Sequence, residues 1–290
     1  MDSNISRTNL TLLKLHQTLN IKGNLYGLNE PKVMGVINVT PDSFYTSSRQ
    51  SNIDHILTVT DKMIEDGASF IDLGGYSSRP GAKDITIDEE LRRVIPPIEA
   101  INREFPELIV SIDTFRSRVA DESVSAGASI INDISAGDLD DQMVDVVAKH
   151  HVPYIIMHMK GTPQNMVQKA EYNDLVKDVV FALSSKIELL AEKGIPDIIV
   201  DPGFGFAKNI EQNFELLSKL EALSTLERPM LVGLSRKSMI YKTLNIEPEQ
   251  ALNGTTVVNT LALLKGASIL RVHDVKEAVE VVKLVNKLNL

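Results

Sequence analysis

Eight short apolar runs, each closing on a polar or charged group and separated from the next by a helix-like segment, set the limits on what this chain can fold into. They are VMGVIN to Asn38, FIDLGG through Asp72, LIVSID to Asp113, SIIND to Asn132, YIIMH to His158, DIIVD to Asp201, MLVGLSRK to Lys237, and SILRVH through Arg271 and His273. Continuous β-rich runs suit strands covered on both faces, as in an all-parallel sheet. Eight strand–helix units predict an α/β fold, a (β/α)8 TIM barrel, in which the loops after the strands build the active site. The polar strand ends should then converge in one mouth.

The 290 residues suit one such barrel, so the whole chain reads as a single domain, with 1–32 as an N-terminal extension and 33–290 as the barrel. Within the extension, TLNIKGNLYGLNE alternates loosely about Gly23-Asn24 and predicts a hairpin covering the N-terminal end of the barrel. Lys plus Arg is 30 against 39 for Asp plus Glu, a net charge of −9, and no basic block occurs. That disfavours a nucleic-acid surface while leaving room for a local cationic pocket. Cysteine is absent, which excludes disulfides and thiolate metal sites. No run reaches the roughly 18 apolar residues of a membrane helix, and the first residues lack a signal-peptide core. The expectation is a cytoplasmic protein with neither nucleic acid nor membrane as partner.

Between the strands, Asp54 to Asp66 carries an apolar face and stops at Gly67. Thr86 to Glu89 fits a capping box, and Pro96-Pro97 should kink or interrupt the helix that follows. Three loops, 38–52, 74–84 and 159–173, are long and rich in Gly, Pro and Ser, as lids and substrate loops are.

The strand-end residues each allow a structural and a chemical reading. Asp113 can cap the helix that follows it, or accept N–H groups of a planar heterocycle. Asp201 leads into the loop DPGFGF rather than directly into a helix, which favours the acceptor role. Asn132 can serve barrel backbone or ligand. A lone His158 suits a hydrogen-bonded strand-end histidine better than a catalytic one. Lys237 can stay solvated, or donate to a carbonyl or ring nitrogen. Arg271 and His273 project to one face if the strand continues, and with Asn38 they suit a phosphate or pyrophosphate. Phe204 and Phe206 fit core packing or an aromatic wall for a flat ligand.

Taken in order, these segments resemble the dihydropteroate synthase family from about residue 20 to the end. MGVINVTPDSF and DLGGYSSRPGA look like its two signatures, and SIDTFRSRVA, INDISAG, IIMHMKGTP, DPGFGFAKN, GLSRKSMI and RVHDV also match. The second signature usually reads GGESTRPG; here Tyr76 stands for the Glu and Ser78 for the Thr. Ser78 keeps the hydroxyl, and Tyr76 bears on the loop.

The resemblance implies condensation of 7,8-dihydropterin-6-ylmethyl diphosphate with 4-aminobenzoate, releasing pyrophosphate. It implies a pterin site of Asp113, Asn132, Asp201 and Lys237, with Ile134, Met157 and Phe206 around the ring. The diphosphate would lie near Asn38, Ser78, Arg271 and His273, with Mg2+ on Asn38 and phosphate oxygens. Aminobenzoate would lie near Phe44, Arg79, Pro80 and Ser238. Asn38, Lys237, Arg271 and His273 would carry the catalysis, an SN1-like substitution in which the protein stabilises the leaving anion, excludes water and positions a weak amine. A homodimer is also implied. Two other readings share the barrel: a pterin-binding methyltransferase working with a corrinoid protein, and a non-catalytic pterin-binding paralogue.

Overall fold

The computed structural model describes residues 17–39, 49–77, 84–163 and 165–288. It opens with β1 (Thr18–Ile21) and β2 (Asn24–Gly27), an antiparallel pair in which Ile21 faces Asn24. Lys22 and Gly23 make the tight turn, both at positive φ (50° and 81°). Those left-handed backbone conformations give the turn the right-handed twist of the flanking strands and cost glycine little.

Eight parallel strands follow: β3 (Lys32–Asn38), β4 (Phe70–Gly74), β5 (Ile109–Asp113), β6 (Ile130–Asp133), β7 (Tyr154–Met157), β8 (Ile198–Asp201), β9 (Leu231–Val232) and β10 (Ile269–Val272). Their order is β8-β7-β6-β5-β4-β3-β10-β9. A parallel bridge between Val200 and Met230 joins the two ends of that order, with the Val200 N–H donating to Pro229 O at 2.9 Å. The barrel expected from the eight runs is therefore present.

Around it lie α1 (Arg49–Glu65), α2 (Ile87–Glu104), α3 (Ser117–Ala126), α4 (Met143–His150), α5 (Leu175–Glu192), α6 (Ile210–Ser218), α7 (Ser238–Leu244), α8 (Leu252–Leu264) and α9 (Val275–Asn286). Two expectations need correction. Pro96 and Pro97 sit inside α2 without ending it. They deprive the Arg92 and Arg93 carbonyls of helical donors, but buried Val94, Ile98 and Ile101 hold the helix on the barrel. The capping box is also only half formed. Thr86 accepts from the Glu89 N–H at 3.2 Å, while the Glu89 carboxylate turns to Arg92 and Arg93.

Strand side chains alternate between two environments. The outward set, including Val33, Ile71, Leu73, Val110, Ile112, Ile131, Ile156, Val200 and Leu270, forms one core with the helices. The inward set splits by height. Its lower layer, Met34, Phe70, Ile130, Ile155, Ile199, Leu231 and Ile269, packs with Leu19, Ile21 and Leu28 of the N-terminal hairpin segment. The hairpin thus plugs the barrel floor. Higher up, the same inward register carries Asn38, Asp72, Asp113, Asn132, Asp201 and Arg271. The charged groups among these inward residues lie at the upper end of the barrel interior, while Ser111 lies lower, beside Ile130.

Candidate active site

Adjacent residues on β6 show how alternation sorts the carboxylates and amides. Asp133 points outward and is consumed by structure, accepting from the Ser135 hydroxyl and N–H, the Gly137 N–H and the Tyr154 hydroxyl at 2.6–2.8 Å. Asn132 points inward, where its Nδ2 donates to Asp72 Oδ2 at 2.9 Å.

The centre of the upper layer is Arg271. Its Nε donates to Asp72 Oδ2 at 2.6 Å and its Nη2 to Asp113 Oδ2 at 2.7 Å. Asp113 therefore caps no helix; α3 is preceded by Arg116, which makes no capping bond, and the N–H of its first residue, Ser117, donates to Asp140 Oδ2 at 2.7 Å. Burial pushes the Asp113 carboxyl up to about 7 against the pull of Arg271, and neighbouring Asp72 adds to the rise. Burial opposes the charge on Arg271, but Asp72 and Asp113 outweigh it and hold the guanidinium firmly protonated.

Asp201 ends β8 beside Met157 in the register of β7. Its Oδ1 accepts the Gly203 N–H at 2.7 Å, which folds the DPGFGF turn. Burial raises its pKa, opposed chiefly by Lys237. Lys237 enters just before α7, donates from Nζ to Phe204 O, and lies 4.8 Å above the Phe206 ring. Burial draws it down to about 8, with Asp201 acting the other way. Phe204 is core and Phe206 is half-buried at the pocket, so the two readings of that pair divide between them. Ile134 and Met157 are buried beside Asn132 and Asp201. Ser238 opens α7.

At the rim, the backbone N–H of His273 donates to Ser235 Oγ at 3.2 Å, and its Nδ1 lies 3.0 Å from the same oxygen. Arg236, at φ 54°, forks onto Asp274 at 2.8 and 2.9 Å and bonds the Pro248 and Glu249 carbonyls. It ties the loop bearing Lys237 to the loop bearing His273. Asn38 ends β3 opposite Gly74. Among the described residues, no group of three or more His, Cys, Asp or Glu is arranged to hold a metal.

Residues 34–273 match the family model described as pterin binding enzyme. A dihydropteroate synthase of Bacillus subtilis is 42% identical over 256 residues, covering 88% of this chain and 87% of its own length. The chain belongs to the dihydropteroate synthase family of pterin-binding enzymes. The Yersinia pestis dihydropteroate synthase, solved in a sulfonamide drug complex, superposes with a TM-score of 0.88 at 40% identity over 94% of this chain and 99% of that one. The Xanthomonas albilineans dihydropteroate synthase, solved with 4-aminobenzoic acid, gives 0.86 at 37% identity over 94% and 98%. The family makes this chain a transferase of folate biosynthesis.

The family departure at Tyr76 has a local setting. Tyr76 is buried, meets Phe115 edge-on at 5.0 Å, and lies 5.1 Å from the Arg116 guanidinium. Arg116 in turn pairs with fully buried Glu90 at 2.9 Å and with Asp84 at 3.0 Å. The root of the second loop is thus fixed to α2 and to the start of α3. Phe44, Ser78, Arg79 and Pro80 lie outside the described residues.

Sequence reasoning missed three residues. Asp72 is marked in the sequence only as the polar group of its run, with no role, although period-2 counting from Phe70 turns it inward. Lys208 is buried, and its Nζ meets Gly203 O at 2.9 Å, Phe206 O at 3.1 Å and His158 Nδ1 at 3.1 Å. Arg236 carries no signal beyond its neighbour Lys237.

Proposed function

We propose that this chain joins a dihydropterin-6-ylmethyl diphosphate to 4-aminobenzoate, giving dihydropteroate and pyrophosphate. The observation that carries this reading is the inward polar layer, in which Asp113, Asn132 and Asp201 supply acceptors and Lys237 a donor beside the Phe206 ring. Acceptors and a donor set around one flat face suit a heterocycle with N–H groups and a carbonyl, and they discriminate strongly against rings lacking those groups. Ile134, Met157 and Phe206 would line the ring. Arg271, His273, Asn38 and Ser78 would take the diphosphate, and Phe44, Arg79, Pro80 and Ser238 the aminobenzoate.

Asn38 offers a hard amide oxygen, the ligand type magnesium accepts, and phosphate oxygens and water would complete the coordination. Bound there, Mg2+ would neutralise charge on the leaving pyrophosphate. The protein groups supply the rest. Arg271 and His273 hold the departing anion, Lys237 and the carboxylates hold the pterin in place, and the pocket keeps water from the electron-poor methylene. The substitution is SN1-like, because the electron-rich pterin can carry cationic charge and no protein nucleophile is needed.

The family resemblance, together with the exposed apolar stripe Val257, Leu261 and Leu264 on α8, supports a homodimer. No helix of the described residues is long and apolar enough to cross a membrane. The test is pyrophosphate release from the pterin diphosphate with and without aminobenzoate and Mg2+, with dihydropteroate identified by mass. Protein that binds the pterin but forms no dihydropteroate at saturation would favour the non-catalytic reading.

A further inference from the structure

Asp72 sits mid-strand on β4, is fully buried, and among the described residues commits its hydrogen bonds to two pocket side chains. Both bonds fall on one oxygen, Oδ2, and Oδ1 has no partner. A buried acceptor left unmatched is destabilising, so packing alone is a poor account of a carboxylate here. What Asp72 does is decide which way Asn132 faces. An ionised carboxylate can only accept, so the end of the amide that meets it at 2.9 Å must be Nδ2. Oδ1 of Asn132 is then turned to the cavity.

We propose that Asp72 is a positioning residue of this site, fixing the Asn132 amide through one N–H of its Nδ2 so that the carbonyl oxygen is turned to the ligand, with only the second N–H beside it. The wall formed by Asp113, Asn132 and Asp201 then consists of acceptors, and it selects heterocycles whose facing edge carries N–H donors. A ring that sets an acceptor against Oδ1 of Asn132 is refused, because turning the amide round would set that oxygen against the Asp72 carboxylate. Asp72 also keeps Arg271 from resting wholly on Asp113, which leaves Asp113 available to that same edge. This inference rests on the pterin reading of the pocket and refines it.

The experiment is calorimetry with 6-hydroxymethylpterin and, separately, with pyrophosphate. Wild type that fails to bind the pterin would sink the functional reading and leave the orientation of Asn132 a separate matter. Asp72→Val should weaken the pterin by at least about tenfold without weakening pyrophosphate, whose anchor Arg271 loses a competing carboxylate, and Asp72→Asn, which keeps an oxygen in place, should retain most of the pterin affinity. In an Asn132→Ala background, Asp72→Val should cost no more than about a further threefold, because the residue it acts through is already gone. Equal loss of both ligands, or full additivity with Asn132→Ala, would overturn the proposal.

Should Asp72→Val not fold, Asn132→Asp reads the same relationship. It places two carboxylates side by side, and one proton shared between them restores the wild-type pattern, a donor toward Asp72 and a carbonyl toward the cavity. Its pterin affinity relative to wild type should rise at least about fivefold from pH 8 to pH 5. Asp113, Asp201, Lys237 and Arg271 face the same space, are present in both proteins, and divide out of that ratio. A ratio flat with pH would overturn the proposal.

Discussion

Lys208 Nζ lies 3.1 Å from Nδ1 of His158, joining the end of β7 to the loop after β8 inside the protein. Burial draws the lysine down to about 7, and burial followed by the Lys208 charge draws the histidine down to about 3. His158 is therefore neutral at physiological pH, a satisfied strand-end histidine as its sequence context suggested. The same lysine bonds Gly203 O and Phe206 O, so it braces the turn that carries Asp201 and Phe206.

That brace has a pH signature. The folded pKa of Lys208 is below its unfolded value, so a buried ammonium destabilises the fold fully below about pH 7, and the burden lifts as pH rises toward the unfolded value. Wild type should gain stability relative to Lys208→Met between about pH 7 and pH 10. At neutral pH the variant leaves two carbonyls without their donor, and its pterin affinity should fall about tenfold. Urea melts across pH, paired with calorimetry, check both. A stability difference independent of pH would place the lysine charge elsewhere.

Arg271→Ala should damage more than anion binding. The family resemblance places Arg271 at the diphosphate alone. In the structure the guanidinium also neutralises Asp72 and Asp113, so its removal strands two carboxylates and should cost about 2–3 kcal/mol of stability. Arg271→Lys should recover part of the stability and little of the bidentate geometry. Chemical denaturation of the three proteins decides it, and an unchanged midpoint for the alanine variant would refute the bridging role.

For Asp201 the informative substitution is asparagine. Asp201→Ala would also take the acceptor from the Gly203 N–H and loosen the turn. Asp201→Asn can keep that bond while losing the charge set against Lys237. Pterin affinity should fall at least about tenfold, with pyrophosphate affinity within about threefold of wild type. Unchanged pterin binding would remove Asp201 from the site.

Leu261→Glu tests the α8 stripe, where Val257, Leu261 and Leu264 follow helical spacing and are each over 40% exposed. A charge in the middle of a self-complementary apolar patch should shift the protein to monomer in sedimentation velocity, with its circular dichroism intact. A wild type that already sediments as a monomer would end the dimer proposal.

The barrel was legible because its strands are continuous apolar runs with little alternation, a pattern that few other folds require. The strand-end residues were legible for the same reason, since a polar group ending such a run stands out. Asp72 stands out as a polar group but not by its role, because it lies inside its run and its partners Asn132 and Arg271 come from distant strands. Lys208 was hidden differently. A lysine seven residues beyond a strand looks like surface, and nothing local says that the chain folds back to bury it against His158. Pro96-Pro97 misled because a propensity argument weighs two lost hydrogen bonds and cannot see the barrel wall that holds α2 in place. The chemistry of Arg271 was half legible: its type and position suggested an anion, and its carboxylate partners come from distant strands.

The hairpin beneath the barrel turns a tube into a cup. With Leu19, Ile21 and Leu28 wedged among the lowest inward side chains, nothing passes through the floor, and reactants and products must use the mouth. On the proposed placement, a pterin on Asp113, Asn132 and Asp201 would lie deep, with the arylamine above it and the anion at the rim. On that placement the arylamine could not precede the pterin to its place, and pyrophosphate, nearest the mouth, would leave before the joined product. The order of events in such a vessel follows from its having a bottom.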